Sequence, residues 1–203
     1  MEPGGTAGRA PLDRATIVAG GIELADEGGV DQLTMRRLAG RLGFKAMALY
    51  NHVANKDELL TLMVDAVAAE VGDASTADEP LERLRAHAIE TRRALVRHPW
   101  ASGIWLRYLP GPARVDHMEL MLRLLAESGL PHDLAHHGFH AVNNHVLGYT
   151  LQAQAMDFDE SDQSGLDIAE QFVAGLSAET HPRTIAHVHE NLNGETTSSF
   201  ELV

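Results

Sequence analysis

The chain has 203 residues and a mass of 22.0 kDa, with a formal net charge of −13, 12 histidines and no cysteine. That length can bury a real core, and the lack of cysteine excludes disulfides and thiolate metal sites. Nothing reads as a signal peptide or as an apolar run able to cross a bilayer, so a cytoplasmic chain with no membrane partner is expected.

Few aromatics, many Ala, Leu, Gly and Arg, and no alternating strand-like stretch point to an all-α fold. Residues 1–11, opening MEPGGTAGRA, have nothing to bury and read as a disordered tail. The first predicted helix runs from Leu12 or Asp13 to Glu27, with Ile17, Gly21, Leu24 and Ala25 on its packing face. Gly20 and Gly21 each cost about 1 kcal/mol relative to Ala in a helix interior, a cost that close approach of a neighbouring helix offsets. Gly28 and Gly29 end the helix.

Residues 34–56, TMRRLAGRLGFKAMALYNHVANK, read as two short helices about a tight turn, closed by the start of a third. Thr34 caps the first, because a threonine oxygen accepts from the unpaired N–H groups of an opening helical turn. Met35, Leu38, Ala39 and Leu42 recur at spacings of three and four, which leaves Arg36, Arg37 and Arg41 outside. Gly43 supplies the stop, since a residue past a helix end often needs positive φ. In the second helix, 46–53, Leu49 and Val53 turn inward. Its other face carries Lys45, Met47, Tyr50, Asn51 and His52, a set suited to phosphates and base edges in a DNA major groove. Asn55 caps the next helix, with Glu58 three residues on as in a capping box.

Charge placement agrees. Residues 32–56 hold five cations (Arg36, Arg37, Arg41, Lys45 and Lys56) and no acid, whereas the first 60 residues sum to −1 and the remainder to −12. Attraction to a polyanion must then be local, with the acidic body repelling DNA beyond the footprint. The competing reading is a plain helical hairpin with a solvated basic face.

The run LTMRRLAGRLGFKAMALYNHVANKDELL resembles the N-terminal DNA-binding domain of the tetracycline-repressor (TetR) family of bacterial transcription regulators, over about residues 12–65, with LYxHVxNKxxLL among that family's more specific signatures. The resemblance implies an N-terminal three-helix helix-turn-helix DNA-binding domain (12–60), a connecting fourth helix, and a larger helical ligand-binding and dimerisation domain (61–203). It further implies a homodimer on a palindromic double-stranded DNA operator, released by a small-molecule effector, and a repressor rather than an activator. Thr34, Tyr50, His52 and Lys56 match positions that hold phosphates. Arg36, Ala46, Met47 and Asn51, with Lys45 beside them, match positions that face bases; Ala46 and Met47 are apolar, so readout there falls to thymine methyls or shape. The family usually has Ala or another small residue where Gly21 stands.

The fourth helix is predicted over 55–71 with Leu59, Leu60, Met63, Val67 and Val71 inward, followed by the linker GDASTADEP. Pro80 opens a helix to about His98 with Leu84, Ala88, Thr91 and Leu95 on one stripe, and Pro99 stops it. A short segment flanked by Trp100 and Trp105 follows. The next helix, 113–128, shows Val115, Met118, Leu122 and Leu125 at helical spacing, thickened by Met121. The longest, 132–158, mixes Val142, Val146, Leu147 and Tyr149 with His136, His140, Asn143, Asn144 and Gln154, and buried polar groups of that kind need a partner, water or a ligand. Residues 157–165 read as an acidic loop, and 168–176 and 184–192 as two further helices.

The body resembles the C-terminal domain of the tetracycline repressors, best at ETRRALVRHP. By that resemblance the groups that hold the drug and its magnesium align near Gly72, His87, Thr91 and Trp105; Gly72 and Trp105 offer no imidazole, so tetracycline is not the expected ligand. A small, mostly hydrophobic effector is expected instead, against Trp100, Trp105, Met118, Met121, Leu122 and Leu147, oriented by His87, Thr91, His140, Asn143 or Asn144. For each of the Trp and Met residues, ordinary core is the competing reading. The final helix that usually completes the family's dimer interface reads as missing or truncated after Gly194.

His132, His136 and His140 share one helical face, but no carboxylate or cysteine accompanies them and no metal or cofactor is expected. No nucleophile elbow, phosphate loop, paired-carboxylate signature or HExxH motif is found, so no enzyme is expected. A histidine-based metal-binding protein or hydrolase on a helical scaffold is the alternative of a different class.

Overall fold

The computed structural model describes residues 11–72, 77–156 and 163–192; these form ten helices and, among the described residues, no strand. The expected tail at 1–10, linker residues 73–76, the stretch 157–162 with Phe158, and the unfinished end at 193–203 lie outside the described residues. The chain divides into two compact units after Thr150.

In the first unit, α1 (Arg14–Gly28) starts where the Asp13 carboxylate accepts from Thr16 N at 2.7 Å and stops at Gly29, φ 76°. The α2 helix (Met35–Leu42) is capped by Thr34, whose hydroxyl oxygen accepts from Arg37 N, and ends at Gly43 in the left-handed region, φ 71°. The next helix, α3 (Ala46–Leu49), is shorter than the predicted 46–53. Residues 50–52 wind on as turns, with His52 N bonding to Leu49 O, and Val53 is buried all the same. The α4 helix (Lys56–Ala69) is capped by the Asn55 side chain on Glu58 N, while Glu58 returns its carboxylate to Ala54 N.

The paired glycines do what the pattern requires. A Cβ on Gly20 would lie 2.9 Å from Leu42 Cδ2, and one on Gly21 2.9 Å from Met63 Sδ, so α2 and α4 fill the space where α1 has no side chain. Ile17, Leu38, Leu49, Val53, Leu59 and Met63 close this core with almost no exposure.

The body begins with α5 (Pro80–Arg97), α6 (Pro99–Ser102), α7 (Pro112–Glu127) and α8 (His132–Met156), each of the first three with proline in its opening turn. Leu84, Met121, Leu124, Leu125, Ala135 and Phe139 form its apolar cluster. The predicted face of α7 is rotated in the structure. Val115, Met118 and Leu122 are exposed, and the buried stripe is Arg114, His117, Met121, Leu124 and Leu125. A stripe carrying two ionisable residues goes inward because both find partners there. The Arg114 guanidinium donates to the carbonyls of Trp105 and Tyr108 at 2.8 and 3.2 Å, and to that of Leu109.

Asp65 of α4 holds this arrangement. Its carboxylate accepts from Ala113 N at 3.2 Å and Arg114 N at 3.0 Å, capping α7 from another helix, with the Arg114 side chain 3.7 Å away. An acceptor with negative charge at the positive end of a helix satisfies otherwise unpaired N–H groups.

In the second unit α9 (Gln163–Ala174) packs on α10 (Pro182–Leu192). Residues 163–165, expected in a loop, belong to α9. No side chain described in 151–190 is buried; Leu151, Ile168 and Phe172 are exposed.

A Cβ on Gly111 would lie 2.5 Å from Asp65 Cγ and 2.6 and 2.7 Å from its two oxygens. Gly111→Ala is therefore expected to destabilise the protein by about 1–3 kcal/mol in thermal denaturation, the range for overpacking. Gly103→Ala, with a neighbour no nearer than 3.9 Å, is the control, and an equal loss in both variants would refute the clash.

Candidate functional site

The head presents one polar face. Leu49 and Val53 anchor the segment after Gly43 to the core, so the residues between them are turned out. Met47 is 73% exposed and Tyr50 43%; Arg36, Lys45 and Asn51 are exposed as well, and Ala46 and His52 are half-buried. Hydroxyl, amide, imidazole and a thioether thus share a surface one helical turn long, a size that enters a major groove.

The five cations counted in the sequence are not equivalent. Arg41 forms a forked pair with Glu27 at 2.6 and 2.7 Å and reaches Glu23 at 3.2 Å. That hydrogen-bonded pair holds the Glu27 carboxyl below its usual range and raises the Arg41 guanidinium. Arg37 donates to Gln32, at its carbonyl and its side chain. Lys56 donates to Val30 O at 2.9 Å and is half-buried, so it ties the loop after α1 to the start of α4 while keeping two N–H donors. Arg36 and Lys45 have neither ion pair nor side-chain hydrogen bond among the described residues and are the cations left wholly to a polyanion. Thr34 spends its oxygen on the cap, and its hydroxyl hydrogen stays available to an acceptor.

In the body, His87, Thr91, Trp105, Met121 and Leu147 are buried as a ligand-facing set requires. Met118 and Leu122, expected beside them, are exposed because α7 turns its other stripe inward. His140 and Asn144 are exposed and Asn143 half-buried, since α8 packs through Ala135, Phe139, Val146 and Leu147. Trp100 belongs elsewhere; its indole N–H donates to Asp26 of α1 at 2.6 Å.

Two residues unnoticed in the sequence complete the buried polar group. His117 Nδ1 meets His87 Nε2 at 2.7 Å, and the Trp105 ring stands edge-on to His117 at 5.9 Å between centroids. Burial, then the neighbouring His87, pushes the His117 imidazole from 6.5 down to about 3. The signal was present as Arg114, His117, Met121, Leu124 at helical spacing, but hydrophobicity favoured the adjacent stripe. Arg114 is the second of them and fixes the loop that carries Trp105. On α8, His136 and His140 meet edge to face at 4.8 Å, and among the described residues no three His, Cys, Asp or Glu side chains gather to hold a metal ion.

Known proteins share this arrangement. Residues 17–63 match the family description "Bacterial regulatory proteins, tetR family", and residues 75–203 match "Tetracyclin repressor-like, C-terminal domain". A transcriptional regulator of the helix-turn-helix type from Saccharopolyspora erythraea is 37% identical over 76% of this chain. The class G tetracycline repressor protein of Vibrio anguillarum is 33% identical over 79%. The chain spans 65% of the first relative's length and 78% of the second's. Apo ActR from Streptomyces coelicolor superposes with a TM-score of 0.79 at 27% identity, covering 96% of this chain and 90% of its own. ActR has also been solved with actinorhodin bound, at a TM-score of 0.77 and 29% identity, covering 88% of this chain and 86% of that one. Nothing in these likenesses supports the metal-binding or hydrolase alternative.

With His117 ionising at 6.5 when unfolded and about 3 when folded, the unfolded chain holds the extra proton between those values, and stability falls as pH drops through that window. From pH 7 to pH 5 a loss of about 2 kcal/mol is expected. In His117→Leu the pH dependence of the thermal midpoint should be shallower; identical slopes would refute the assignment.

Proposed function

The chain belongs to the tetracycline-repressor (TetR) family of bacterial regulatory proteins, and from that premise we propose that it is a homodimeric, ligand-responsive repressor of a palindromic operator. The observation that carries this is the exposed face from Arg36 to His52, held by a buried Leu49–Val53 anchor and bearing Arg36 and Lys45, whose side chains make neither ion pair nor hydrogen bond among the described residues. Thr34, Tyr50, His52 and the spare donors of Lys56 contact phosphates. Arg36, Lys45 and Asn51 reach base edges, and Ala46 and Met47 meet thymine methyls.

The effector is an apolar, ring-bearing molecule with a few hydrogen-bonding groups, recognised by the buried His87–His117 pair, Thr91, Trp105 and Met121. Support comes from their burial and mutual contact, and from the similarity to ActR, which binds actinorhodin. Tetracycline is not the ligand proposed: Gly72 is exposed, with nothing within 4 Å of an added Cβ, and Trp105 is committed to His117. Binding shifts α7, and Asp65 passes that shift to α4 and so to the heads.

Fluorescence anisotropy on fragments of DNA around the protein's own coding region, at two salt concentrations, tests the reading. A tight complex weakened by salt is expected. Arg36→Ala and Lys45→Ala should each weaken the complex by about 1–3 kcal/mol and relax specificity at one base position, while Arg41→Ala, already paired with Glu27, leaves affinity nearly unchanged. Equal losses at all three positions would count against the assignment of free and spent cations.

For the effector, quenching of Trp105 emission in a Trp100→Phe background is expected on titration with a panel of apolar multi-ring compounds that includes actinorhodin, and lost in His117→Leu. Unchanged emission across the panel would dismiss that ligand class.

A further inference from the structure

We propose that His98 is a positioning residue whose doubly protonated ring fastens the DNA-binding head to the body; the proposal rests on the regulator reading above. His98 lies between α5 and α6, 9% exposed, and contacts two different helices of the amino-terminal part. Its Nδ1 is 2.9 and 3.0 Å from the two oxygens of Asp26 on α1, and its Nε2 is 3.1 Å from Glu70 Oε1 at the end of α4.

Donor counting fixes the charge state that this geometry needs. An ionised carboxylate only accepts, and a neutral imidazole has one N–H to give. Both carboxylates are held in the accepting form by further donors: Trp100 Nε1 donates to Asp26 Oδ1 at 2.6 Å, and Arg97 Nη2 to Glu70 Oε2 at 2.8 Å. Both His98 contacts are therefore hydrogen bonds only in the imidazolium. When the ring loses a proton, one nitrogen turns a lone pair toward a carboxylate, and either α1 or α4 is released. The charged groups facing His98 are Asp26 from α1, Glu70 from the end of α4 and Arg97, across Glu70, from α5, with the neutral Trp100 indole from α6 edge-on at 6.2 Å.

Loss of either ring proton breaks one of the two contacts, so deprotonation of the ring loosens the joint. A head fastened to the body has less freedom to lose on DNA, and its operator affinity is correspondingly higher. The latch is absent from the pocket and from the DNA face, so it tunes how firmly the two are connected.

The first readout needs no DNA. In the full chain carrying Trp105→Phe, the single remaining indole N–H signal, that of Trp100, is followed by NMR from pH 5 to 8.5. It is expected to move in one titration step, which vanishes when His98→Gln is added; an immobile signal, or the same step in the variant, overturns the proposal. The second readout is affinity for the bound fragment identified above, at constant ionic strength. From pH 6 to 8.5 the native protein should lose about tenfold more affinity than His98→Gln, and His98→Lys, charged throughout, should hold the acid-side affinity. Parallel profiles in all three overturn the positioning role. If no fragment binds, the regulator reading fails, while the indole titration still decides whether His98 is the latch.

Discussion

Asp65 is the contact on which the rest of the molecule depends. It stands on α4, whose opposite side supplies Leu59, Leu60 and Met63 to the core of the head, and its carboxylate closes the first turn of α7. Arg114 leaves that turn, neutralises the carboxylate and gathers the carbonyls of three loop residues. One ion pair therefore fixes the direction of α7, the course of residues 103–111 and the seat of Trp105 over His117. Because packed interiors shift as units rather than deform locally, a molecule that pushes on α7 is felt along α4.

The electrostatics follow a similar economy. An acidic protein that grips a polyanion cannot rely on bulk attraction, and most of the basic groups of the head are spent on its own architecture. Arg41 clamps α2 to α1, Arg14 bonds to the carbonyl of His52 and to Glu58, and Lys56 pins Val30. These internal ties orient the outward face, so the surface proposed for DNA combines a small number of free charges with neutral groups held at fixed angles. Such a surface discriminates by fit and hydrogen bonding more than by attraction.

How much of this could be read from the chain depends on where each signal resides. The head was legible almost to the residue, because its boundaries are written in local chemistry: Thr34 and Asn55 as caps, Gly43 as the left-handed stop, Gly20 and Gly21 as points of close approach. The second helix differed most in length, the first and fourth by one or two residues at their ends, and Leu49 and Val53 stay inward whether the winding between them is tight or regular. The body was legible as a series of helices but not in its facing. On α7 two stripes compete, and the apolar one lost because Asp65 and His87, distant in sequence, give Arg114 and His117 partners. Trp100 was assigned to the ligand site for its size, whereas its N–H had a prior engagement with Asp26. His98 sent no local signal at all, as both of its carboxylates come from elsewhere in the chain.

The second unit carries a consequence of another kind. Its described helices enclose no side chain of their own, and Ile168 and Phe172 lie open to water. Two helices that bury none of their described side chains draw their stability from whatever surface covers them, and on the dimeric reading proposed above that surface is a second copy. Completing the fold and finding a second copy are then one event, governed by mass action. On that same reading the number of molecules per cell is an input in its own right: as synthesis falls and the chain is diluted, paired heads come apart before any effector arrives.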